Sequence, residues 1–417
     1  MSINKKRFVF LILFILLSLG VTYFIDTKYN EVAHITPDQE IIVPKFLINP
    51  ITLASGEKFN LTIQGDYSIT PVIEGLKRIR FMAMSPDNRL FVTDMFDLSD
   101  NSKGKIYILD GFNQETKKFA TTTTYLSNLR NPNSVAFYTD AENTAWLYIA
   151  LTDRLIRYKY TTGDVKPSDE PEVIATFPDY GLSYKYGGWH LTRTVAFHND
   201  KVYVSVGSSC NSCEEKEFER ASILQMNPDG SDIKLYAKGL RNAVGIKWVG
   251  NELYATNMGS DHLGQAIPKE MFYKIQAGEN YGWPYCYVNE QKEVVADDSQ
   301  EWTNQYPCSL VPAPQAIFAA HAAPLGLEFF TNDFQDEKLA GSFLVALHGA
   351  STPAIGAGYT IAKVDKDNVV TDFITGFLKD GQRYGRPVDI LKYTDSSFFF
   401  TDDYKGVIYF VSQNSTN

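Results

Sequence analysis

Basic residues are the minority charge in this chain: 39 Lys and Arg stand against 49 Asp and Glu, for a formal net charge of −10. No basic stripe is present to neutralise phosphates, which excludes nucleic acid as a partner. The common nucleotide loops are missing as well. No G-x-G-x-x-G follows a strand pattern, and neither a P-loop nor a G-x-S-x-G elbow occurs, so a nicotinamide or nucleotide enzyme of the usual folds finds no support. Cysteine is limited to four residues, Cys210 and Cys213 in a C-x-x-C and Cys286 and Cys308 flanking a second loop. No histidine sits at a finger-like spacing from them, and no βαβ pattern surrounds the C-x-x-C, which argues against a thioredoxin-type redox role. Two disulfides, 210–213 and 286–308, are expected, with zinc or free thiols as the alternatives. No haem C-x-x-C-H motif exists, and no helical periodicity comparable in length to the chain's strand repeats occurs beyond the N-terminus.

What the chain has in quantity is aromatic surface: 25 Tyr and 27 Phe within 14% aromatic content, a bias toward strands. Hydrophobic content of 44% and charged content of 21% are those of a globular protein. At 417 residues a large core is available, and all-β architectures can run this long as one unit. Lys5, Lys6 and Arg7 precede an uncharged run from Phe8 to Ile25, at the lower edge of what spans a bilayer. The run reads as an export signal or, preferably, an uncleaved helical membrane anchor, with the positive flank inside. No second apolar span follows, so the bulk of the chain is expected outside the cytoplasm. The expected division is an N-terminal hydrophobic helix over 1–25, a polar tether over 26–60 and a folded domain over 61–417.

From about Thr62 onward one pattern recurs: apolar strand, polar turn, apolar strand, then a third strand. The copies are 78–95, 131–151, 191–209, 241–261, 323–330 with 341–351, and 385–403. Their third strands are KIYILD, RLIRYKY, SILQMN, MFYKIQ, TIAKVD and VIYFV. The turns SPDN, HND, VGN and TDSS carry hairpin chemistry. Six short all-β repeats predict a six-bladed β-propeller. The segment 62–73 is expected to complete the sixth sheet and so remove exposed edges.

The phrases HLTRTVAF, VGSSCNSCEE, GLRNAVGIKW, AGENYGWPYCY, HAAPLGLEFF and GRPVDI place polar residues at the ends of these strands. Over about residues 70–411 they resemble the soluble glucose/sorbosone dehydrogenase family, six-bladed propellers that use pyrroloquinoline quinone (PQQ). The resemblance implies oxidation of a sugar hydroxyl or related aldehyde, with hydride passed to the quinone and electrons leaving to an external acceptor. It makes His190 the general base, since a neutral imidazole can take the hydroxyl proton. Arg241 and Asn242 match the family's pair beside the cofactor, where a guanidinium stabilises charge on the quinone oxygens. Arg386 in GRPVD matches an arginine that contacts PQQ. Gly259 and Ser260 fall where the family offers backbone carbonyls to Ca2+, and Asp261 is a possible addition.

Two departures weaken the match. The fifth-repeat phrase HGASTPAIGAG lacks the family's cation, and Tyr384 and Gly385 stand where the glucose enzymes carry another arginine. Lys363 and Arg383 are the nearby cations. His348, His321, Trp283, Pro284, Asp402 and Asp403 are expected in packing, turn or inter-blade roles, and Asp97 in a solvated loop. Two rival functions share the architecture: a propeller binding a glycan or protein without chemistry, and a metal-dependent lactonase-like hydrolase drawing on Asp94, Asp153 and Asn242.

Overall fold

The computed structural model describes residues 45–178, 190–301 and 305–414. The hydrophobic helix expected at the N-terminus and the first part of the expected tether lie outside the described residues. Among the described residues, helical structure is limited to three single-turn 3-10 segments, Asp261–Leu263, Cys308–Leu310 and Pro353–Ile355. None of these is long or apolar enough to cross a membrane.

The rest is a six-bladed propeller. Each blade is an antiparallel sheet whose innermost strands are Ile79–Met84, Ser134–Thr139, Arg193–His198, Ile246–Val249, Pro324–Phe330 and Pro387–Lys392. These six touch one another in a closed ring. All six repeats read from the sequence are blades, and every expected third strand is present. The fourth, outermost strands were not legible: Thr121–Leu129, Glu172–Thr176, Lys234–Lys238, Ala316–Phe318 and Val370–Thr375. The strand from Thr121, for example, begins TTTT and is mostly exposed, so no alternation marks it.

Closure differs in one respect from expectation. Tyr67–Ile73 does complete blade six, pairing with Val407–Gln413. Lys58–Gln64 does not join it. A turn at Gly65 and Asp66 reverses the chain, and this strand instead extends blade five, with Thr62 opposite Thr375 and Ile63 opposite Ile374. Phe46–Thr52 then pairs with it, giving a six-stranded sheet. Residues 46–60 are therefore part of the propeller, and the tether expected over 26–60 cannot extend past Lys45. Alternation explains this: Phe59, Leu61 and Ile63 face inward while their neighbours face out.

Six apolar layers separate the six pairs of neighbouring blades. Between blades five and six, Phe398 and Phe400 pack with Phe373, Ile374, Tyr67 and the hairpin's Leu61 and Ile63. Phe81, Val244, Leu325 and Val388 meet on the axis and plug the channel. Threonine hydroxyls tie blade to blade near one end of that channel: Thr93 to the Asn133 carbonyl (2.7 Å), Thr152 to Leu191 (2.8 Å), Thr256 to Leu325 (2.8 Å) and Thr401 to Arg80 (2.8 Å).

Because the hairpin is core rather than linker, Leu61→Ala is expected to destabilise the propeller by about 2–5 kcal/mol. Ile48→Ala, on the exposed face of the same hairpin, should stay within about 0.5 kcal/mol. Urea denaturation of the two variants checks this; equal, negligible effects would return residues 46–64 to a linker role.

Candidate active site

Within a blade, the innermost strand starts at the end where the antiparallel second strand finishes. Residues just before the first strand and just after the second therefore emerge on one face of the ring. His190, Arg241, Asn242 and Arg386 come from the first kind of position, and Arg80 is the second residue of the innermost strand Ile79–Met84. Met258, Gly259, His348 and Gly349 come from the second. All of them line one cavity of about 460 Å³, within the range of small-molecule sites.

His190 Nδ1 lies 3.0 Å from both the carbonyl and the hydroxyl oxygen of Ser208. The Ser208 hydroxyl donates to the Cys210 carbonyl at 2.7 Å, so its one proton is engaged elsewhere. Nδ1 must then be the donor, which leaves Nε2 as the unprotonated nitrogen. Burial pushes the His190 pKa well below the usual value, and the cations of Arg241, Arg193 and Arg220 push it further. Gly207 permits this placement. A Cβ there would lie 2.6 Å from both His190 Cβ and Asn242 Oδ1.

Arg241 is almost fully buried. Its Nε donates to the Asn211 carbonyl (2.9 Å), and its Nη2 donates to Asn211 Oδ1 (2.8 Å) and Asp261 Oδ2 (3.1 Å). Asn242 lines the cavity, its backbone N–H held by Asn257 Oδ1 at 3.0 Å. Gly259 also lines it, but Ser260 sits behind the wall. The Ser260 hydroxyl donates to the Asn211 carbonyl and accepts from Trp283 Nε1, both at 3.1 Å. Asp261 is more than half exposed and lies 3.3 Å from His321 Nδ1, so the histidine expected to be structural also borders the cavity.

The floor is built on Asp403, which is fully buried. Arg80 Nη1 lies 3.0 Å and Arg78 Nη1 3.3 Å from one oxygen, while His348 Nε2 donates to the other at 2.7 Å. Burial alone would raise the Asp403 pKa; His348, Arg80 and Arg78 outweigh it and hold the carboxyl well below the usual range. Burial, then Arg386, lowers His348 to about 3, so this imidazole is neutral. Arg386 donates to the carbonyls of His348 (3.0 Å) and Gly349 (2.5 Å). Burial lowers its pKa to about 10, and among the described residues no carboxylate pairs with it. Lys363 points away, bonded to the Lys338 carbonyl on the outside of blade five. Arg383 backs the HGAS loop, donating to Ser351 O and Tyr359 Oη, without lining the cavity.

Two charged lining residues escaped the sequence reading. Arg80 sits in RIRFMAM, indistinguishable there from an ordinary polar strand position. Glu270 opens the third strand of blade four, is buried, and takes the Gly259 N–H on Oε2 at 2.8 Å. Burial raises its pKa to about 8. The proposed lactonase ligands do not meet: Asp94 clamps the backbone N–H groups of Lys77, Arg78 and Phe96, and Asp153 pairs with Arg130 and Arg154. Only Asn242 of that trio lines the cavity. Asp402 receives the N–H groups of Arg386, Tyr404 and Lys405 as a turn residue. Both expected disulfides are present, Cys210–Cys213 and Cys286–Cys308.

Gly207→Ala should displace the His190 ring, visible as a shift of its imidazole signals in histidine-labelled protein while His198, at the far end of blade three's innermost strand and stacked on Trp248, stays fixed. The overpacking should cost about 1–3 kcal/mol. An unmoved His190 would remove Gly207 from the site's design.

A family model described as TrAA12-like matches residues 61–414. An uncharacterized protein of Borreliella burgdorferi is 27% identical over 390 residues, covering 89% of this chain and 96% of that one. Among solved structures, the holo PQQ domain of pyranose dehydrogenase from Coprinopsis cinerea superposes with a TM-score of 0.68 at 16% identity, over 87% of this chain and 98% of its own. A calcium structure of the Trichoderma reesei carbohydrate-active enzyme of family AA12 gives 0.68 at 17%, over 88% and 97%. The fold agrees with the propeller that the sequence resemblance implied, and the chain belongs to the TrAA12-like family.

Proposed function

We propose that this chain is a PQQ- and calcium-dependent dehydrogenase that oxidises a sugar or aldose-type hydroxyl. The observation that carries the reading is Arg386: a largely buried guanidinium, facing a cavity, that hydrogen-bonds to two carbonyls, lies over the Tyr359 ring and has no salt bridge to a carboxylate among the described residues. Such a group is complemented by an anion. Arg80 and Arg241 line the same cavity, each already paired with a carboxylate, so for a ligand bearing three carboxylates, as PQQ does, they add guanidinium contacts beside Arg386. For calcium, the buried Glu270 carboxyl and the backbone of Gly259 are oxygen donors of the right hardness. The Ser260 hydroxyl is already engaged, which leaves only its backbone for the expected role. The Arg and carboxyl set fits the two groups.

PQQ, when bound, supplies the two-electron acceptor. The protein's part is positioning and proton handling. His190, fixed through Nδ1–H to Ser208, presents a neutral Nε2 that takes the proton of a substrate hydroxyl. Arg241 holds a fixed positive charge within the same cavity, where negative charge developing in the transition state is stabilised. Met258, Val244 and Leu325 form apolar wall and floor that limit water. Electrons then pass to an external acceptor. The pairing of two disulfides with the basic flank and apolar run at residues 5–25 supports an extracytoplasmic, membrane-tethered enzyme. The non-catalytic binding reading finds less support, because a neutral, tautomer-fixed histidine beside a buried arginine is what proton abstraction requires.

Calorimetric titration of PQQ into the protein should show binding at roughly micromolar or tighter with calcium and a marked loss with chelator. Arg386→Ala should weaken that binding about 30-fold or more. His190→Ala should leave binding in place and lower kcat by about 10²- to 10⁴-fold against sugars with an artificial dye as acceptor. Because the lowered His190 pKa keeps the base neutral under mildly acidic conditions, activity should persist as pH falls through 6.5 and decline only below it. Full turnover in His190→Ala would eliminate the base, and absent PQQ binding would move the chain to the binding-module class.

A further inference from the structure

We propose that the loop closed by the Cys210–Cys213 disulfide is a brace that sets His190 and Arg241 relative to one another, with Asn211 as its positioning residue. The kinetic part of the proposal rests on the dehydrogenase reading; the geometric part does not.

The loop reaches both groups by separate atoms. On one side, the Cys210 carbonyl takes the Ser208 hydroxyl proton at 2.7 Å, which obliges His190 Nδ1 to be the donor to Ser208. That choice of tautomer leaves Nε2 available as a base. On the other side, Asn211 accepts from Arg241 twice, through its carbonyl and through Oδ1. The two bonds fix the guanidinium plane as well as its position, which one bond could not do. Asn211 is held in turn from outside the loop. Its Oδ1 receives the Asp261 N–H at 2.8 Å, its carbonyl receives the Ser260 hydroxyl and Trp283 Nε1 at 3.1 and 3.3 Å, and its Nδ2 lies 3.4 Å from His262 Nδ1. A loop of four residues without regular structure has little reason to stay in such a conformation unless its ends are joined. The Cys210–Cys213 bond joins them, with the two Cα atoms 6.2 Å apart. A second bracing contact follows directly, as Glu215 takes the backbone and hydroxyl protons of Ser209 at 2.6 and 2.8 Å.

A purely structural loop would affect stability alone. A brace makes a distinct prediction, because the cations near His190 are Arg241 from the blade-three-to-four connection, Arg193 from its own strand and Arg220 from the segment before strand three. If Arg241 is released, one of the charges that lower the His190 pKa withdraws.

The test uses the full chain, without cofactor and with PQQ and calcium. In the cofactor-free protein, histidine-labelled NMR titration should show His190 in Asn211→Ala titrating higher than in the wild type, toward 6.5, with His190→Ala assigning the signal. In loaded protein, Asn211→Ala should lower kcat by about 10- to 100-fold, the worth of one hydrogen bond to a charged group, with KM for sugar changing less than about threefold. Cys210→Ser with Cys213→Ser should reproduce both effects while Cys286–Cys308 remains formed. An unchanged His190 titration in both variants, in folded protein, overturns the brace. If the wild type binds PQQ but never turns over sugar, the dehydrogenase reading fails, and the titration still decides the brace.

Discussion

A single buried carboxylate makes this site possible. Asp403 is fully buried at the floor of the ring, and removing an ion from water costs several kcal/mol even after relaxation. It is tolerable there only because Arg80, Arg78 and His348 surround it. The benefit runs the other way as well. Arg80 is nearly as buried, and without Asp403 it would be an uncompensated charge on the axis. The same guanidinium reaches Asn133 Oδ1 of blade two at 3.1 Å, and His348 belongs to blade five. One ionic cluster thus ties four blades, one, two, five and six, at the level where the cavity opens.

Which cations remain for a ligand follows from how each is already paired. Arg80 is matched to Asp403 in a dry environment, and Arg241 to the more exposed Asp261, where solvent weakens the attraction. Arg386 has two carbonyls and the Tyr359 ring, with no salt bridge among the described residues. The cavity therefore offers a graded set of positive charges, strongest in need at Arg386 and weakest at Arg80. Such a gradient orients an elongated anion as well as attracting it.

The propeller was legible because hairpins advertise themselves locally: turn residues such as SPDN sit between apolar runs, and the run RLFVT needs no distant partner to be recognised. The hairpin from Phe46 was not legible as part of a blade, since its pairing joins Thr62 to Thr375 and nothing local encodes so long a closure. His190, Arg241, Asn242, Gly259 and Arg386 were found because they stand at strand ends within distinctive phrases, and all five line the cavity. Ser260 stands one residue further along and turns away, a difference of side that a phrase cannot express. Arg80 and Glu270 were missed for the opposite reason. Each sits inside or at the start of an apolar strand, where alternation predicts an outward or edge position, yet convergence of the blades at the axis turns it inward. Asn211 carried no signal of its own in the sequence, because its value lies in what its two oxygens reach and not in its residue type.

Burial gives this cavity its chemistry through one physical cause acting on three kinds of group. Desolvation disfavours charge, so it lowers His190 and His348 and raises Glu270 to about 8. His190 and His348 are thus neutral near pH 7, and that carboxyl is neutral until a cation binds beside it and draws off its proton. Guanidinium groups start so high that the same penalty cannot discharge them; even Arg386, lowered to about 10, keeps its proton. A dry pocket that keeps His190 and His348 neutral while Arg386 stays charged without a salt bridge among the described residues is positive on that side. It attracts an anion and keeps a neutral base beside it, and the two requirements agree, because the positive field that binds an anion also disfavours a histidinium. Here no separate device is needed for each: placing His190 among Arg241, Arg193 and Arg220 lowers the base and builds the anion site in the same step.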